Sequence, residues 1–458
     1  MKGKSLLVLA ALGTVPFIMV LGNSMLIPVL PQMQKELGIS QFQASLVISL
    51  FSIPAGIVIP FAGFLSDRIG RKKVIAPALI IYGIGGIIAG IAALLMKNAY
   101  WLIISGRILQ GIGAAGTAPV AMALAGDLFT GKERSKALGY IEASNGMGKV
   151  VSPVLGSLIG LIAWFATFFM FPVLTVPAAL AVWLLIKEPS TQRQVQGIGQ
   201  YLSSVKNIFA NKAAYLLTAF LTGSLALMLL FGILFFLSDY LETSLKLFGA
   251  KKGLVLAIPV LFMSTTSLAT GAVIKKKVPL MKKMVIGGLG LITLSLALLP
   301  FFRSPWANVA IMAVTGIGVG SILPCLNTMI TSSASITQRG MITSLYGGVR
   351  FFGVAAGPPL FGVLDNFDGR FVMFWSSAAA ALITGVLAIL FLPSKAPEQT
   401  AEESEQDPKQ HHIRFGQVLL ETITFRNSIG RLVTKKLIKN QGRNQENSDS
   451  KNDENPSS

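Results

Sequence analysis

Few side chains capable of chemistry lie inside the apolar stretches of this 458-residue chain, and one such stretch, 136–160, carries three of them: Glu142, Asn145 and Lys149. Offsets of three and seven put all three on one helical face. A rise of 1.5 Å per residue then sets Glu142 and Lys149 about 10.5 Å apart along the axis, too far for a direct ion pair. Each therefore needs water, a solute or a partner from another helix. A carboxylate so placed can gain and lose a proton as its surroundings change. Glu142, Lys149, Arg107 and Arg350 are accordingly candidates for proton coupling, and a structural ion network with Arg107 or Arg350 is the second reading of the same face. Arg107 lies within the stretch 101–126. A charge at that depth costs about 2.5–3.5 kcal/mol on insertion scales and faces a cavity or a partner. An arginine bonded to backbone carbonyls for packing is the alternative. Asn23, Gln110 and Asn145 are the polar residues expected to line a substrate cavity.

Other chemistry has little to stand on. His411 and His412 are the only histidines and Cys325 is the only cysteine, so no metal site, cofactor, disulfide framework or histidine-based triad is expected. An enzyme is not expected either.

The elements that must position these residues are membrane spans. Hydrophobic residues make up 52% of the chain and charged residues 13%, against about 25% charged in a soluble domain, and the mean hydropathy is +0.66. Runs long enough to cross about 30 Å of hydrocarbon as helix lie near 6–30, 42–65, 74–95, 101–126, 136–160, 162–186, 214–238, 252–274, 284–302, 305–331, 341–363 and 370–392. The first run contains Pro16, Asn23 and Pro28 in place of a cleavage site and reads as an uncleaved span. About 19 basic residues fall in loops on one side of these spans, against about seven on the other, where Lys246, Lys251 and Lys252 belong. By the positive-inside rule both termini are cytoplasmic. The net charge of +19 thus serves anionic membrane lipid rather than nucleic acid.

The chain repeats itself. Gly111, Ile112, Gly113 and Pro119 recur as Gly316, Ile317, Gly318 and Pro324, an offset of 205, and Arg134, Gly148, Pro153 and Leu155 recur at the same offset as Arg339, Gly353, Pro358 and Leu360. The candidate charges are not duplicated: Met312 stands opposite Arg107, Gly347 opposite Glu142, Arg350 opposite Asn145 and Val354 opposite Lys149. The expected architecture is all-α and polytopic, twelve transmembrane helices in two pseudo-symmetric six-helix bundles, 1–186 and 214–393, joined by a cytoplasmic linker, 187–213, and followed by a polar tail, 394–458. Two parallel repeats place a substrate site at their interface near the bilayer midplane. Tyr201, Leu202, Val205, Ile208 and Phe209 in the linker, and a basic stretch in the tail around 414–439, have the spacing of helices lying on the membrane; a disordered tail is the other reading.

Between the second and third spans stand Gly63, Leu65, Asp67, Arg68, Gly70, Arg71 and Lys72. This loop resembles the GxLaDrxGrkxxl signature of the major facilitator superfamily, and the resemblance covers roughly residues 5–393. Gly106 to Gly113 is similar to that family's RxxqGxg pattern, and Pro28–Pro31 to its first-helix PxxP. Gly148, Pro153 and Gly156, with Gly353, Gly357 and Pro358 in the repeat, resemble GxxxGPxxGG, which marks the drug:proton antiporter branch; Ser152 and Ser157 replace two of its glycines. Small residues at that spacing also serve plain helix packing. The resemblance implies the major facilitator fold and a gating loop in which Asp67 pairs with Arg71, near Asp127 on the same side. It implies a monomeric transporter of the inner (plasma) membrane that expels a lipophilic or amphipathic small molecule against proton entry. A nutrient symporter or facilitator and a lipid or glycolipid flippase are the alternatives.

Overall fold

The computed structural model describes residues 3–188, 198–274, 277–302, 304–334 and 338–394. The tail stretch and the first part of the linker lie outside these residues, as do the side chains of Tyr201, Leu202, Val205 and Ile208. Among the described residues there are fourteen α-helices and no strand. The first half holds α1 (Gly3–Ser24), α2 (Leu30–Leu37), α3 (Gln41–Ile69), α4 (Arg71–Leu95), α5 (Tyr100–Ala115), α6 (Ala118–Leu128), α7 (Gly131–Gly160) and α8 (Ala166–Leu185). The second holds α9 (Ile198–Thr243), α10 (Gly249–Ile274), α11 (Val278–Leu298), α12 (Pro305–Ser332), α13 (Arg339–Asp368) and α14 (Arg370–Phe391).

Fourteen helices make twelve crossings because two crossings are broken. Pro28 and Pro31 lack an N–H and cannot continue α1, so the chain passes through the 3-10 turn Ile27–Val29 before α2 resumes. Gly116 and Thr117 interrupt the fourth crossing between α5 and α6. Its repeat counterpart, α12, runs unbroken through Pro324. Eleven of the crossings are long and apolar enough to span a membrane by composition alone. The twelfth, α7, has the length but carries Glu142, Asn145 and Lys149. The linker ends in helix: α9 starts at Ile198 and enters the seventh crossing through a break at Lys212.

Outward faces are apolar. Ile80, Ile84, Ile87 and Ile91 form one stripe on α4, each 39–44% exposed, and Leu382, Ile383, Val386, Ile389 and Leu390 do the same on α14. Spacings of three and four turn such residues to one side. Continuous apolar stripes of this kind suit contact with lipid.

The halves meet along α3 with α13 and α7 with α10, which are equivalent pairs under the repeat. Small residues allow it. A Cβ on Gly56 would lie 2.8 Å from the Gly348 carbonyl, and one on Gly253 2.8 Å from that of Pro153. The glycines of the repeated motif instead press on helices of their own half: Gly148 on the Phe17 backbone and Gly156 on Met25 O in α1 and its continuation, Gly353 on Ser224 O and Gly357 on Met228 O in α9. Pro153 and Pro358 lie inside α7 and α13.

Candidate substrate cavity and coupling site

Between the halves lies a cavity of about 1040 Å³, walled by α1, α3, α6 and α7 from one half and α9, α10, α12 and α13 from the other. Its rim on the face of the basic loops carries Asp67, Arg68, Arg71, Asp127, Arg134 and Arg339. The opposite end is sealed by the broken first crossing. Carbonyls at the break accept bonds from the second half, Ser238 Oγ donating to Ile27 O at 2.8 Å and Lys252 Nζ to Pro28 O at 2.7 Å. Lys252 is also 2.6 Å from Glu242 Oε2 and is only 2% exposed. It was expected among the loop charges, but α10 begins at Gly249 and carries it inside. Asp239 and Glu242 in α9 lie near it, and Asp365 in α13 lies near Asp239, because these helices run beyond 238 and 363. Glu142 is therefore one of several acids within the crossings, although these three do not line the cavity.

Glu142, Asn145, Lys149 and Arg350 all line the cavity. Glu142 is exposed to it, and the other three are half-buried. Among the described residues Glu142 and Lys149 form no ion pair with one another, in keeping with their axial separation, but Glu142 and Arg350 both lie within electrostatic reach of Lys149. Arg350 stacks over the Tyr346 ring at 4.9 Å, and its buried Nε finds no protein acceptor. The three carboxylates on the wall are Asp67, Asp127 and Glu142. Arg71 holds the first two, at 3.0 and 2.6 Å.

Arg107 sits behind this wall. It is fully buried, with Nε donating to Val47 O at 2.8 Å, one terminal nitrogen to Gln110 Oε1 at 2.7 Å and the other to Asn23 Oδ1 at 2.9 Å. Its guanidinium lies 4.4 Å from the Phe51 ring centroid. Gln110 is equally buried and does not reach the cavity, because its partners Arg107 and α4 lie on the other side of α5. Asn23 and Phe51 do line it. Asn23 also donates to Ser52 Oγ at 2.7 Å, so the arginine fixes one polar and one aromatic wall residue at once.

At the loop, the α4 N-terminus is capped by a residue the sequence reading did not single out. Glu188 accepts from the amides of Arg71 at 2.6 Å and Lys72 at 3.2 Å. Unpaired amides and a positive dipole end make this a carboxylate site. Lys72 Nζ donates to Ile186 O at 2.8 Å, beside the same strut. Gly70 is required here, since its φ is +109° and a Cβ would stand 2.8 Å from Glu188 Oε2. No local pattern links positions 70 and 188; only the fold does. Phe231, Phe351 and Asn327 on the cavity wall were also not singled out.

The sequence matches the model of the Major Facilitator Superfamily over residues 12–358 and again over 282–441. The "Bacillibactin exporter" of Bacillus subtilis (strain 168) is 42% identical over 391 residues, spanning 85% of this chain and 97% of that protein. "Multidrug resistance protein 1" of the same organism is 29% identical, spanning 80% of this chain and 92% of that protein. Among solved structures, a bacterial homolog of the human lysosomal transporter Spinster, in an inward-facing and occupied conformation, superposes with a TM-score of 0.71. That likeness covers 88% of this chain and 100% of that one at 17% identity, and it concerns the fold.

Proposed function

The chain belongs to the Major Facilitator Superfamily, a multi-pass membrane transporter of small molecules and not an enzyme, and we propose that it exports an organic compound from the cytoplasm in exchange for protons. It does so as a monomer, since one chain encloses the cavity, and it resides in the plasma (inner) membrane. The basic loops and both termini face the cytoplasm, so the cavity described above is open inward. Bacillibactin is the first compound to test, given the 42% identity to an exporter of that name along almost its whole length.

One observation carries the coupling: Glu142 is the cavity carboxylate that no cation holds among the described residues. In the inward-open state it meets water and releases its proton to the cytoplasm, and the compound enters. Rocking of the halves along α3–α13 and α7–α10 separates Lys252 and Ser238 from the broken first crossing. The cavity then opens outward, where the compound leaves and Glu142 takes up a proton. Asp67, Arg71 and Asp127 hold α3, α4 and α6 together at the inner rim and act as the gating cluster.

Inside-out vesicles with an acidic interior test this. Bacillibactin should accumulate inside, and its addition should partly collapse the pH gradient. Uptake driven only by the reversed gradient would overturn export, and uptake indifferent to any gradient would overturn coupling.

A further inference from the structure

We propose that Lys149 and Arg350 together bind an anionic group of the exported compound, so that the cavity selects aromatic organic anions over cations. This rests on the reading of the cavity as the transport site. Lys149 projects from α7 in the first half and Arg350 from α13 in the second, and both line the cavity. They act on one another through space. Two like charges held facing one void are stabilised by an anion placed between them. Arg350 is half-buried on the wall with its guanidinium over the Tyr346 ring, and its buried Nε has no protein acceptor. A guanidinium is suited to a carboxylate or sulfonate, which fills two of its donors at once.

The rest of the wall agrees. Six basic side chains line the cavity against three acidic ones, and Arg71 already holds two of the three acids. A cationic solute would have Glu142 alone to approach, with Lys149 and Arg350 opposing it. Neither cation is needed for packing, since their repeat positions hold Val354 and Asn145. Phe51, Phe231 and Phe351 offer aromatic surface for the body of the solute. Because the two cations belong to different halves, the anion also senses how the halves are disposed.

The test uses the full-length protein in nanodiscs with tritiated naphthalene-1-acetate, competed by naphthalene-1-acetamide and by 1-naphthylmethylammonium, which share its ring and differ in charge. The acid should bind saturably, and a tenfold excess of the amide or the ammonium should leave it in place. Lys149→Gln and Arg350→Gln should each weaken it at least tenfold. Absence of saturable binding, displacement by the ammonium as effective as by unlabelled acid, or unchanged affinity in both cation variants would overturn the proposal. Vesicles that import the acid would overturn export and leave this site standing.

Discussion

Replacing Lys252 should unlock the outer end. Its pair with Glu242 lies within the second half and survives any rocking, so the bond that belongs to the closed state alone is the one to Pro28 O, at 2.7 Å. A hydrogen bond from a charged donor contributes about 1.5–3 kcal/mol. At 1.4 kcal/mol per factor of ten, its loss moves the closed-to-open ratio by about 10- to 100-fold. Lys252→Met keeps most of the side-chain volume, and Glu242, whose side chain is 19% exposed, can still reach water. The assay is alkylation of a single reporter, Val20→Cys on the cavity wall, by a membrane-impermeant maleimide applied from the outer side. The native Cys325 is buried and can be replaced by serine to clear the background. Lys252→Met should raise the labelling rate at least tenfold. A rate within twofold of the parent, at equal thermal stability, would refute the gate.

Glu188→Ala leaves the first amides of α4 without their carboxylate and should cost about 1–2 kcal/mol, typical of a lost N-terminal cap. Scanning fluorimetry should show a lower melting temperature, and Gly70→Ala should do less further harm in that background because its clash partner is gone. Arg107→Met leaves two buried side-chain acceptors, Gln110 Oε1 and Asn23 Oδ1, without their donor, each worth about 1–3 kcal/mol. Stability and transport should therefore fall together, and Arg107→Lys should recover only part because an ammonium lacks the planar fork. Normal melting and transport in Arg107→Met would count against its role behind Asn23 and Phe51. Asp67→Asn removes a pair whose acid is 56% exposed, so stability should change by only about 0–1 kcal/mol; transport should slow at equal membrane abundance, and an unaltered rate would exclude Asp67 from gating.

The twelve crossings were legible because each needs a long apolar run, and the internal offset of 205 made the two halves visible without any alignment. The polar face of α7 was legible for the same reason, as Glu142, Asn145 and Lys149 share a helical face by spacing alone. Rotation about a helix axis relative to the neighbours was not. Arg107 and Gln110 are three apart on α5, yet which way that face turned depends on α3 and α1, and it turned away from the cavity. Lys252 read as a loop charge because its acceptor, a carbonyl at a proline break 224 residues earlier, comes within reach only once the halves meet. Glu188 was hidden likewise, 117 residues from the amide it caps.

The most direct measurement is on Glu142→Gln in proteoliposomes with an imposed pH gradient. Glutamine keeps the size of the side chain and resembles the protonated acid, and it removes the capacity to release and regain a proton. Uphill transport should be lost, while exchange of labelled for unlabelled compound without a gradient continues, because the cavity and both gates are intact. Uphill transport persisting unchanged in Glu142→Gln would contradict the account and place the coupling site elsewhere, with Asp239, Glu242 and Asp365 the next acids to examine.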